Sequence, residues 1–120
     1  MFFMKDDMIR EEKVELRGGK GTLQLCHIVP PELLHGSGTQ VGILTIKPGD
    51  SIGLHSHSKN FEIYYLLEGT ASVTDGGEER ILHAGDGELC ADGNTHSLEN
   101  IGETEVRLLA VILNDIDARK

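Results

Sequence analysis

The sequence predicts an all-β domain built as an antiparallel barrel or jelly roll. Three observations carry this. Short runs alternate apolar with polar side chains, as half-buried strands do. Gly, Pro, Asn and Asp punctuate the runs at close intervals, marking about eight or more strands. No stretch holds a helical period long enough to make a packed helix. The 120 residues contain no break in composition, so one core suffices, and with 4% aromatics and no Trp that core has to be built from Leu, Ile and Val.

In chain order, residues 1–13 mix apolar and charged types without a clean period and are expected to form an N-terminal arm, frayed or briefly helical. The barrel is expected over 14–114, with 115–120 as a polar tail. Val14–Arg17 opens as a first strand and Gly18-Gly19-Lys20-Gly21 as a hairpin turn; Lys20 has neither the spacing nor the following helix of a phosphate loop. Thr22 to Val29 alternates around Leu23, Leu25 and His27 until Pro30-Pro31 stops it. Pro31 to Leu34 suits a single helical turn. His35 to Thr39 suits a flexible loop able to cover a barrel mouth, with His35 in solvent.

Gln40 to Lys47 is apolar on both faces, and Pro48-Gly49-Asp50 turns the chain into the next strand. Phe61 to Glu68 points Glu62, Tyr64 and Leu66 one way and Ile63, Tyr65 and Leu67 the other. Asp75-Gly76-Gly77 is a hairpin signal between Ala71–Thr74 and Glu78–Leu82. His83 lies beyond that strand and is expected to be exposed. Thr95 to Ile101 sets His96, Leu98 and Asn100 on one face, and Val106 to Leu113 is the longest apolar run.

Within this framework one constellation stands out. His55 and His57, two apart, share a face of their strand, Glu62 follows after a turn at Ser58-Lys59-Asn60, and His96 opens a later apolar run. Neutral imidazoles with a carboxylate form the donor set of a borderline divalent metal. Chance histidines in strands are common, but here four such residues coincide with two independent glycine frameworks. Gly49, His55, His57, Glu62 and Gly69 fit the spacing G-x5-H-x-H-x4-E-x6-G, and Gly85, Gly93, His96 and Asn100 fit G-x5-P-x-G-x2-H-x3-N. Together these two stretches resemble the cupin family. Ala91 stands where that pattern has proline, which loses a rigid turn residue and no ligand.

The resemblance implies a double-stranded β-helix with a divalent ion (Mn, Fe, Ni, Co or Zn) held inside by His55, His57, Glu62 and His96. It leaves Asn100 to stabilise a turn. The inward faces add Gln40, Tyr64, Leu66, Cys90 and Leu98 as candidate pocket residues. Three His and one Glu suit a six-coordinate ion that keeps two adjacent positions for a bidentate ligand.

Two functions remain open: a metalloenzyme, either an oxidoreductase (dioxygenase-like) or a lyase of the oxalate decarboxylase type, acting on a small oxygenated acid or diol, and a non-catalytic module that anchors a sugar or organic acid through the metal. A proton-donating carboxylate would have to come from a loop, at Glu32, Asp92 or Glu99. The formal charge of −9 argues against nucleic acid and anionic membrane surfaces as partners. Cys26 and Cys90 are expected as free thiols in a cytoplasmic protein, Cys90 as a small buried strand residue. The outward Ile63, Tyr65 and Leu67 lead to the expectation of a homodimer, with the N-terminal arm placed on the partner or folded back.

Overall fold

The computed structural model describes residues 1–119. Ten strands form: β1 (Ile9–Val14), β2 (Thr22–Val29), β3 (Gly38–Ile46), β4 (Ser51–Ser56), β5 (Asn60–Glu68), β6 (Thr70–Asp75), β7 (Glu78–His83), β8 (Gly87–Cys90), β9 (Thr95–Asn100) and β10 (Val106–Asn114). Every pairing is antiparallel. A six-stranded sheet runs β1-β2-β3-β10-β5-β8, and a four-stranded sheet runs β4-β9-β6-β7. Their inner faces enclose an aliphatic core that includes Leu23, Leu44, Ile46, Leu66, Leu98 and Leu108. This is the jelly-roll architecture that the alternation predicts.

The first strand differs from expectation. It runs from Ile9 to Val14, within the segment expected to be a loose arm, and Leu16–Gly18 beyond it is a 3-10 turn. The physical reason lies in what makes the strand. Of its six residues only Lys13 is partly buried, so no apolar alternation marks it. Backbone pairing with β2, from Ile9 opposite His27 to Val14 opposite Thr22, builds it instead. The Glu15 amide donates to the Gly21 carbonyl at 2.8 Å and closes the connection. At the other end, Ile116–Arg119 makes a 3-10 turn where a polar tail was expected, and the last residue of that tail, Lys120, lies outside the described residues.

The Pro31–Leu34 turn is present, and His35 caps it in solvent with φ 51°. The hairpin at Gly76-Gly77 joins β6 to β7, and His83 is exposed.

Register decides which side chains of β4 face inward. Ile52 pairs with Leu98, yet His55 pairs with His96, so β4 spends three residues where β9 spends two. The extra residue is a β-bulge, and it reverses the parity of the strand. Ile52 faces the core on one side of it, His55 and His57 face inward on the other, and Leu54 is left 66% exposed. A Cβ on Gly53, inside the bulge, would sit 2.0 Å from the Arg17 carbonyl oxygen, so only glycine fits where the 15–21 connection crosses this strand.

Asn100 ends β9 as a buried tie rather than a ligand. Its amide donates to the carbonyls of Ile46 (2.8 Å) and Thr104 (2.9 Å), and its Oδ1 accepts from the Gly102 amide (2.9 Å). Asn100→Ala leaves three backbone groups without their side-chain partner at once, the Ile46 carbonyl in the core and the Gly102 amide and Thr104 carbonyl in partly buried positions. Each unmet group costs about 1–3 kcal/mol, so the variant is expected to lose about 3 kcal/mol in a denaturant titration while the spectra of the folded state stay unchanged.

Candidate metal centre

His55 comes from the end of β4, His57 from the turn after it, Glu62 from β5 and His96 from β9, so the four residues bridge the two sheets. The β4–β9 ladder sets His55 directly across from His96. The His96 Nε2 lies 3.0 Å from the His55 Nε2, 3.2 Å from the His57 Nε2 and 3.1 Å from the Glu62 Oε1. The same Glu62 oxygen lies 3.1 Å from His57 and 3.7 Å from His55. One donor atom from each residue falls within 4.8 Å of all the others. The structure thus brings together all four residues that the sequence singles out.

The opposite edge of each imidazole is also held. His55 Nδ1 donates to the Gly53 carbonyl at 2.8 Å, inside the bulge. His57 Nδ1 donates to the Asn60 Oδ1 at 2.9 Å, and His96 Nδ1 to the Glu88 carboxylate at 3.0–3.1 Å. With the Nδ1 edge held, each ring turns its Nε2 toward Glu62, the nitrogen that would serve an ion. Tyr64 stacks on His96 with ring centroids 4.8 Å apart, which keeps that ring from rotating.

This donor set fits a divalent ion. Ligands about 2.1 Å from a metal and set at right angles lie about 3.0 Å apart, against about 3.4 Å for tetrahedral placement. Most of the spacings here are close to the first value. Without an ion the cluster needs protons instead. Burial pushes the Glu62 pKa up, but hydrogen bonds to His55, His57 and His96 outweigh that and hold it well below the usual carboxylate range. Burial lowers the His96 pKa, and its bonds to Glu62 and Glu88 more than reverse this, raising it to about 9.

Glu88 was missed by the sequence reading. Burial and its neighbour Asp75 raise its pKa, with the bond to His96 acting against them. The available signal was parity: Glu88 and Cys90 share a face of β8 while Leu89 points out. That strand was hidden in a glycine-rich segment that reads as turns.

A cavity of about 180 Å³ opens beside His55, His57 and Glu62. Of the candidate pocket residues, Gln40 and Tyr64 line it. Leu66 and Leu98 lie instead in the aliphatic core, and Cys90 is fully buried across from Glu62. Burial and the nearby carboxylates push the Cys90 thiol up to about 12, which suits a packing residue. Glu32, Asp92 and Glu99 are not among the lining residues; Asp92 caps the turn at Lys59 through its amide, at 2.7 Å. Two cations that the sequence reading did not place there, Lys13 and Arg17, do line the cavity.

A cupin-domain family model matches residues 42–112. The chain is 35% identical over 113 residues to an oxalate-binding protein of Thermotoga maritima, covering 94% of this chain and 93% of that protein. It superposes with a TM-score of 0.90 on the crystal structure of a predicted oxalate decarboxylase from Thermotoga maritima, also at 35% identity, over 95% of this chain and 99% of that one. A mannose-1-phosphate guanylyltransferase of Salmonella typhimurium is 34% identical over 76 residues, 63% of this chain but only 16% of the enzyme.

Because an ion needs the His96 Nε2 free of its proton, metal uptake and protonation compete. The ordinary histidine value is 6.5 and the folded, ion-free value about 9. The raised pKa means that the His96 charge stabilises the ion-free fold fully below pH 6.5, a contribution that is lost as pH rises through 9. Metal affinity is therefore expected to climb across the same interval, with release of about one proton per ion at pH 7, read by calorimetry in buffers of differing ionisation enthalpy. Glu88→Gln is expected to weaken metal binding by about tenfold or more.

Proposed function

This chain belongs to the cupin family, and we propose that it holds one divalent metal ion on His55, His57, Glu62 and His96 and through it binds a small dicarboxylic acid of the oxalate type. The observation that carries this reading is the orientation of the three imidazoles. Each Nδ1 is tied to an acceptor, so each Nε2 points at the Glu62 oxygen and is the nitrogen whose lone pair an ion would take once its proton has left. When bound, the ion supplies a Lewis-acid centre to which the oxygens of a chelating acid attach.

The cavity sets the size of the ligand. About 180 Å³ corresponds to roughly six waters at about 30 Å³ each, well under the roughly 300 Å³ at which drug-sized sites begin. A molecule of about half a dozen heavy atoms fits. Its walls are Leu16, Leu25, Leu44, Ile52 and Ile112, with Gln40 and Tyr64 as polar neutral groups and Lys13 and Arg17 as cations. Burial, with the charges of Glu62 and Glu88, raises the Tyr64 pKa well above its ordinary value, so its hydroxyl stays neutral. Beside Glu62 no second carboxylate lines the cavity among the described residues. Such a site favours holding an acid over proton-coupled turnover. The likeness to an oxalate-binding protein supports the same reading.

A lyase acting on the same acid is the second reading, favoured by the likeness to a predicted oxalate decarboxylase. Calorimetry with oxalate on metal-loaded protein, run beside an assay for carbon dioxide and formate, separates the two. Saturable binding without product supports a binding module, whereas product formation makes the chain a lyase. No uptake of oxalate overturns both. His57→Ala is expected to abolish stoichiometric metal and oxalate binding together.

Two copies of the chain are proposed to pair through the outer face of the six-stranded sheet. Tyr65, Leu67 and Leu89 are 44%, 39% and 52% exposed there, beside half-buried Ile63. Covering one such side chain is worth about 1.5–3 kcal/mol, enough for several to hold a dimer. Light scattering is expected to give twice the 13.1 kDa of one chain, and Tyr65→Glu to return it to one. A monomer at micromolar concentration refutes the pairing. Both thiols are unpaired, which suits the reducing cytosol.

A further inference from the structure

The connection between β1 and β2 is built to hold one side chain at the cavity mouth. Glu15 and Arg17 both lie in the left-handed region, at φ 47° and 56°, where residues with a Cβ seldom rest. The loop around them is stitched in place. Glu15 N–H donates to the Gly21 carbonyl at 2.8 Å, Gly18 to Glu15 at 2.9 Å, and Gly19 to Leu16 at 2.9 Å. The Lys20 amide donates to the Ser51 hydroxyl and the Ser51 amide to the Lys20 carbonyl, each at 2.9 Å. Gly19 and Gly53 let the loop backbone lie directly on β4, the strand that carries His55.

What this support presents is a free cation. Arg10 bonds two backbone carbonyls, Arg80 pairs with Glu78, and Arg107 pairs with Glu68, but the Arg17 side chain has no hydrogen-bond or ion-pair partner among the described residues. Lys13, the other cation at the cavity, already sits 3.5 Å from Glu11. Three neutral histidines, one carboxylate and a divalent ion sum to a single positive charge. A dicarboxylate brings two negative charges, and one more cation is needed for balance. In a chain of net charge −9, a guanidinium on a strained and buttressed turn beside this cavity is suited to recognising an anion.

We infer that Arg17 is the specificity-determining residue of the site, gripping the ligand's second carboxylate and so selecting small dianionic acids over monocarboxylates. This rests on the reading of the site as a metal-anchored acid binder. The guanidinium fork matches a carboxylate in a way that an ammonium does not. Because Arg17 is exposed at the mouth, its contribution is also expected to shrink as ionic strength rises.

The test uses protein loaded with Co(II), whose visible spectrum reports ligand binding, with oxalate and acetate as probes. Metal stoichiometry is measured first for the unaltered chain, Arg17→Gln and Arg17→Lys. Arg17→Gln is expected to take up cobalt normally and to raise the oxalate Kd by about tenfold or more, with Arg17→Lys between. The acetate Kd is expected to move by less than about twofold, since acetate has no second carboxylate for Arg17 to hold. Equal oxalate affinity in the unaltered chain and Arg17→Gln overturns this inference alone, and so does a matching loss of acetate. Failure of the cobalt-loaded unaltered chain to bind oxalate overturns the functional reading, and this inference with it.

Discussion

Three imidazole nitrogens and a carboxylate oxygen gathered within 4.8 Å of one another, with five of their contacts at 3.0–3.7 Å, repel in a buried place unless a positive charge lies among them. Once each outer nitrogen has its proton committed to Gly53, Asn60 or Glu88, the inner atoms are all acceptors. A proton on His96 relieves part of the repulsion, and a divalent ion relieves all of it. The rest of the barrel serves this requirement. Two sheets bring the donors together from three strands and one turn, and the aliphatic core keeps water from screening them.

The bulge in β4 is where backbone geometry and chemistry meet. It lets Ile52 seal the core and, within three residues, lets His55 face the same interior. Its Gly53 carbonyl then accepts the hydrogen bond from His55 Nδ1–H, and its missing Cβ admits the Arg17 carbonyl. One residue thus sets strand parity, ligand tautomer and the seating of the loop that carries the cavity's free cation. Glu88 plays the corresponding part for His96 from the opposite sheet, in an arrangement where an outer carboxylate orients the imidazole and strengthens it as a donor.

The cavity has one character near the cluster and another at its mouth. Inside, aliphatic walls and a neutral Tyr64 leave electrostatics to the cluster. Outside, Lys13 and Arg17 supply positive charge in a protein whose overall field is negative. On the proposed reading, an acid small enough to enter meets the ion at one end and these side chains at the other. The proposed dianion fits that arrangement better than a sugar, which would ask for more neutral hydrogen-bonding groups than Gln40 and Tyr64 supply.

Most strands from Thr22 onward, β8 excepted, were legible from their apolar patterning, because burying one face writes a period of two into the residues. His55, His57, Glu62 and His96 were legible because ligand chemistry restricts residue type and the flanking turns restrict spacing. Asn100 was legible as a turn residue for the same reason. β1 was not, since a strand made by backbone pairing with exposed side chains leaves no pattern in the residues. Leu66, Leu98 and Cys90 share inward parity with Tyr64, but parity states only that a side chain points inside. Depth along the barrel decides whether it meets the cavity or the core. Glu88, Lys13 and Arg17 enter the site through register and through a folded-back connection, contacts that couple residues far apart in the chain. Local sequence determined which residues could bind a metal, and tertiary packing alone decided what surrounds them.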